Sequence, residues 1–315
     1  MTTTHVTETV TDSSVARHTT PSPALREIEG VYRPPGLHWV GDGFRVAGYF
    51  SSIPNAVQKL SPFLLLDYHP PYDYPAAAKP RGVGVHPHRG FETVTLAWQG
   101  SVAHHDSAGG GGVIGPGDAQ WMTAASGVLH KEYHEREFAR RGGTFHMAQL
   151  WVNLPKAHKL GPPRYQAIDA SAFGVLALPD AAGTVRVLAG EYRGAKGPAQ
   201  TFTPIDVYDV TLRDQGRIEL EFPAHHNLAI LVMKGDAIVN GAGVTERDFI
   251  VFDNDGERVQ VQASGETQLL VLSGAPIDEP VVQYGPFVMN TEAEIRDAFH
   301  DFSSGKFGHL DDEAP

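Results

Sequence analysis

From Leu25 onward the chain is written as short apolar or alternating runs, each cut by Gly, Pro, Asp or Asn before a long helix can establish itself. The runs GDGFRVAGYF (41–50), FETVTLAWQG (91–100), GTFHMAQLWVNL (143–154), TVRVLAGEY (184–192), NLAILVMKGDAIVNG (227–241), RDFIVFD (247–253), ERVQVQA (257–263) and TQLLVLSG (267–274) read as strands. With 34 glycines and 23 prolines as punctuation, the pattern predicts an all-β protein of antiparallel sandwiches or barrels. One helix is expected, at 291–302. There Asn290 or Thr291 can cap, Glu294 completes a capping box with Thr291, and Ile295, Ala298, Phe299 and Phe302 make an apolar face that needs a neighbouring sheet to lie on.

The stretch KAHKLGPPRY (156–165) follows a finished strand with charge, Gly and a Pro pair, which suggests a boundary. The expected organisation is a Thr/Ser-rich disordered tail over 1–24, all-β units over 25–155 and 156–290, and a helix with an acidic end over 291–315. There is no leader-like start and no apolar run of spanning length, so a soluble, cytoplasmic protein without membrane partners is expected. Lys and Arg number 25 against 37 Asp and Glu, a net charge of −12 without a basic run, which disfavours direct nucleic-acid binding.

The chain has no cysteine and sixteen histidines. Disulfides, thiolate metal sites and cysteine nucleophiles are excluded, and any metal must sit on nitrogen and oxygen. His86 and His88 stand two apart, as do His130 and Glu132, and in extended chain such residues share a face. If the two strands meet across a barrel interior, three imidazoles and one carboxylate converge. That set suits Fe(II), Mn, Co, Ni, Cu or Zn and leaves open positions on an octahedral ion. Glu92 lies an even number of residues beyond both histidines and would share their face in an unbroken strand.

Other residues read as less specific. One of His104 and His105 could line a cavity mouth. His134 marks a strand end, His146 belongs to the core or surface, and His225-His226 lack a partner at matching spacing. The glycines at 109–112 form a turn, since no phosphate-loop lysine follows. Phe91, Trp98, Trp121 and Met122 are expected to pack in a core.

HPHRGFETV (86–94) followed by GPGDAQWMTAASGVLHKE (115–132) resembles the pirin family of the cupin superfamily. SPFLLLDYH (61–69), QLWVNLP (149–155) and EPVVQYGPFVMNTEAEI (279–295) extend the resemblance, while the remainder matches loosely. It implies two tandem cupin jelly-roll barrels, the first binding metal and the second without it. Relative to a general cupin, Gly100 falls one residue late and no histidine closely follows Pro116-Gly117-Asp118. Pirins take those ligands from the next strand, which implies His86, His88, His130 and Glu132 as the ligands, leaving Glu92 out or orienting a ligand.

The resemblance further implies a quercetin 2,3-dioxygenase type of activity on a flavonol and O₂ with release of CO. Fe(II) is the foremost metal, Ni, Co, Mn, Cu and Zn are alternatives, and Glu132 is the general base. The alternative is a metal- or redox-sensing regulator acting through a protein partner. A purely structural metal is a third reading.

Overall fold

A computed structural model describes Met1 and residues 24–33 and 36–311. The tail expected to be disordered and the end of the acidic terminus lie outside the described residues, apart from Met1, Ala24, Leu310 and Asp311.

The fold is all-β, as expected, and is built twice on one plan: a seven-stranded antiparallel sheet facing a four-stranded one. The first large sheet runs Arg164–Ile168, Ala119–Thr123, Phe91–Gln99, Gly143–Asn153, Phe63–Tyr74, Phe44–Gly48, His38–Val40. Its small partner runs Gly82–His88, Val128–His134, Val102–Asp106, Gly111–Ile114. In the second half Ile28–Tyr32, Phe249–Phe252, Asn227–Lys234, Thr267–Gly274, Ile205–Leu212, Gly183–Ala189 and Gly174–Ala177 form the large sheet. The small one is Arg217–Glu221, Arg258–Ala263, Ala237–Val239, Ala242–Val244.

Alternation along each strand sends one set of side chains into its own barrel and the other set outward. The two large sheets bury their outward sets on each other. Val94, Trp121 and Leu150 from the first half share one core with Val207, Leu231 and Leu270 from the second. The polar link Trp98 Nε1 to Asp209 Oδ2, 3.0 Å, lies across the same junction. Trp121 is thus core, as expected, and it serves the junction between halves rather than either barrel.

The chain limits of the halves are interleaved. Ile28–Tyr32 pairs with Phe249–Phe252 of the second sheet, and Arg164–Ile168 pairs with Ala119–Thr123 of the first, so both segments cross the boundary placed at 156–165. The C-terminal segment also returns to the first half. Val288 N donates to the Arg89 carbonyl and Arg89 N to the Pro286 carbonyl, while Arg89 forms an ion pair with Asp301 at 3.0 Å.

The helix Glu292–Ser303 is capped by Thr291, whose side chain accepts from Glu294 N. It rests on the short hairpin Val282–Tyr284/Phe287–Met289 rather than on a large sheet. Of its expected apolar face only Ile295 and Ala298 are buried, because that hairpin is too narrow to cover Phe299 and Phe302. Two further short helices occur, Ala56–Leu60 and Arg136–Arg141.

The strand Phe63–Tyr74 is the longest of the first half, although its Pro70-Pro71 argues against a strand. The sheet accommodates them at a register shift, where Tyr72 pairs with Phe145 and His69 with Met147.

Candidate metal centre

The strand Val128–His134 lies between Gly82–His88 on one side and Val102–Asp106 on the other. His130 is paired directly with His86, and Val128 with His88, so His86 and His88 share a face with His130 across one ladder. On the other side Glu132 is paired with His104 and His130 with Asp106. The two strands that carry the expected ligands are therefore hydrogen-bonded neighbours in one sheet, not opposite walls of the barrel. Adjacent strands stand about 4.8 Å apart, which itself brings imidazoles on paired positions within reach of one ion.

The ring centroids of His86 and His130 are 4.1 Å apart, those of His88 and His130 4.5 Å, and those of His86 and His88 4.8 Å. Donor atoms of His86, His88 and His130 lie within 4.8 Å of one another. Those of His104, His130 and Glu132 form a second group at the same limit, with His130 common to both. The carboxylate of Glu132 is held by Gln120 Nε2 on Oε1 at 2.8 Å and by Gln149 Nε2 on Oε2 at 2.7 Å, with Thr95 Oγ1 at 3.4 Å.

Protonation suits these groups to a cation. Burial pushes His88 and His130 well below the ordinary imidazole range, reinforced by the neighbouring histidines, so both are neutral. His86 Nδ1 meets the Gly84 carbonyl at 2.8 Å; a carbonyl only accepts, so Nδ1 carries the proton and Nε2 keeps the lone pair. His130 Nε2 and His88 Nδ1 are buried without a hydrogen-bond partner, a cost of about 1–3 kcal/mol each when left unsatisfied. Lone-pair imidazoles beside a carboxylate are the donor set a divalent first-row ion takes.

Glu92 is elsewhere. Arg89-Gly90 turns the chain between the small sheet and the large one, which breaks the parity that would have carried Glu92 onto the histidine face. Gly90 adopts φ 87°, and a Cβ there would stand 2.0 Å from the Val288 carbonyl oxygen, so only glycine makes this turn. The Glu92 carboxylate instead accepts from Thr123 Oγ1 at 2.6 Å, and burial raises it to about 7.

His104 is fully buried beside Glu132 rather than at a cavity mouth. Its Nδ1 is 3.4 Å from His130 Nδ1 and its ring stacks on Tyr165. The register that selects it leaves no mark in local sequence. His134 ends its strand in an aromatic cluster, donating from Nε2 to the Gly43 carbonyl. His146 bonds Tyr68, and His226 lies near Asp206 and Ser273 in the second half.

A cavity of about 440 Å³ opens onto this centre, lined by His86, His88 and Glu132 together with Asp67 and Gln149. Val40, Phe44, Val46, Val83, Met147 and Trp151 form its apolar wall, and Gly285-Pro286 of the returning segment border it. Trp151 thus stands closer to the centre than Trp98 or Trp121, and Phe91 packs behind it with ring centroids 4.3 Å apart. The volume lies in the range of small-molecule sites.

Family models match this architecture over both halves: "Pirin" over residues 43–152 and "Pirin C-terminal cupin domain" over 207–308. The chain belongs to the pirin family. A Pseudomonas aeruginosa protein named "Putative quercetin 2,3-dioxygenase PA2418" is 50% identical over 284 residues, covering 90% of this pirin and 99% of the relative. A solved structure titled as quercetin 2,3-dioxygenase from Acinetobacter baumannii superposes with a TM-score of 0.88 at 47% identity, covering 91% of this pirin and all of that chain. The Escherichia coli pirin YhhW, solved in complex with nickel(II), shares the fold at a TM-score of 0.56 and 21% identity, over 79% of this pirin and all of that chain. No helix among the described residues of this pirin is long and apolar enough to cross a membrane.

Proposed function

We propose that this pirin is a metal-dependent dioxygenase that opens the heterocyclic ring of flavonols such as quercetin with release of CO. The observation that carries this reading is the cavity itself, in which an apolar wall faces His86, His88 and Glu132, with His130 buried behind them and grouped with both histidines and with the carboxylate. The relatives whose names and titles specify quercetin 2,3-dioxygenase support it.

His86, His88, His130 and Glu132 would hold one divalent metal, Fe(II) foremost. When bound, that ion supplies Lewis acidity, which lowers the pKa of an attached hydroxyl. The protein contributes position and proton handling. The apolar wall excludes water and keeps the substrate ring flat against Trp151. Glu132, fixed through Gln120 and Gln149, receives the proton of the flavonol 3-hydroxyl and returns it to the carboxylate of the product. In the balanced reaction the bonds from C3 to C2 and to C4 break, and C3 leaves with its oxygen as CO. One atom of O₂ becomes the ester carbonyl oxygen on C2 and the other completes the carboxylate at C4.

Metal-loaded protein incubated with quercetin is expected to bleach the visible band of the flavonol only when O₂ is present. No bleaching with Fe, Mn, Co, Ni or Cu contradicts the reading.

A further inference from the structure

The inner face of the first large sheet carries a polar row that crosses five strands: Gln120 pairs with Thr95, Thr95 with Gln149, Gln149 with Asp67 and Asp67 with Gly48. Directly paired residues share a face. Gln120, Thr95 and Gln149 all point at Glu132, so Asp67 points into the same barrel. The strand of Gly48 agrees, because Phe44 and Val46, four and two residues before it, line the cavity.

Three members of this row are spent on holding Glu132. Asp67 is not: it lines the cavity and makes no hydrogen bond or ion pair among the described residues. The side chain that acts on it electrostatically is His38, which is exposed. Gly48 carries no side chain beside it: a Cβ there would lie 3.2 Å from Asp67 Oδ1 and 3.6 Å from His38 Cε1. Burial raises the Asp67 carboxyl to about 6, the effect of a solvent-poor wall on an acid lacking a donor. A half-buried carboxylate without a protein donor, set in an otherwise apolar cavity wall, can accept a ligand hydroxyl in place of water.

We infer that Asp67 is the specificity-determining acceptor for a phenolic hydroxyl on the ring of the substrate remote from the 3-hydroxyl, selecting polyhydroxylated over bare flavonols. The inference rests on the flavonol reading and deepens it. Glu132 addresses the reacting end, and Asp67, one strand beyond Gln149, addresses the far edge.

Binding to the metal-loaded chain, followed by quenching of tryptophan fluorescence under nitrogen, tests this with quercetin and with 3-hydroxyflavone, which lacks the ring hydroxyls. Asp67→Ala is expected to weaken quercetin about tenfold while 3-hydroxyflavone changes less than about twofold. Asp67→Asn, retaining an acceptor, is expected to lose less. Neither variant should lower Tm or metal content, because no native partner is lost. An equal loss for both flavonols, no loss for either, or a drop in Tm overturns the assignment. A parent chain that binds both flavonols with the expected selectivity but consumes O₂ with neither overturns the dioxygenase reading and leaves Asp67 standing. A parent that binds neither overturns both.

Discussion

Inside the second barrel Val185, Val210, Leu220, Val261 and Leu269 fill the space between the sheets. The corresponding space in the first holds His86, His88, His104, His130 and Glu132, with aromatic packing displaced to one end around Phe44, Phe138 and Phe145. The same pairing of sheets thus supports an apolar filling in one half and a polar one in the other. Such an interior is tolerated where its acidic member is hydrogen-bonded, as Glu132 is by Gln120, Gln149 and Thr95. Among the described residues, both groups of three metal-ligating side chains fall in the first barrel.

The sharpest break of this comparison is removal of a proposed ligand. His88→Ala is expected to abolish metal loading measured by elemental analysis, whereas His226→Ala in the second half leaves metal content unchanged. Full stoichiometry in His88→Ala would show that the ligand set is wrong. In the opposite direction, Leu220→Ala in the second core should cost about 2–5 kcal/mol of stability in denaturant titration, with metal content per folded chain retained. A metal-deficient but stable Leu220→Ala would mean that the halves are not specialised as described.

Gln120→Leu keeps the volume and removes one donor from Glu132, for an expected 10–100-fold loss in metal affinity, about 1.4–2.7 kcal/mol, by competition with a chelator. The smallest effect is on pH. His69, His134 and His146 of the first half are depressed to about 4 by burial, while the unfolded chain protonates its histidines near 6.5. Their contribution is complete above about 6.5 and is lost as pH falls towards 4. Glu92, raised to about 7, and Asp67, raised to about 6, act oppositely, losing stability as pH rises through those values, but the buried histidines outnumber them. Hydrogen exchange on metal-free protein should therefore show protection falling between pH 6.5 and 4, more in the first barrel than in the second.

Much of this centre can be read from sequence because strand alternation is local. His86 with His88, and His130 with Glu132, share a face by spacing alone. Strand pairing is not local, and the errors follow from that. His104 sits opposite Glu132 through a ladder that no short pattern encodes. Glu92 lost its parity to the turn at Gly90. Asp67 lies in the segment SPFLLLDYH, which resembled the family, yet its place in the polar row depends on the order of five strands. The interleaving of Ile28–Tyr32 and Arg164–Ile168 is likewise decided by which sheet edge was open, not by either sequence.

The central claim is that chemistry on a flavonol is confined to the first barrel and needs its histidines. Its most direct test is the quantity of CO released per O₂ consumed by metal-loaded protein with quercetin, alongside His88→Ala prepared identically. The account predicts one CO per O₂ for the parent chain and none above background for the variant. Quercetin loss without CO, or equal CO from His88→Ala, would contradict it.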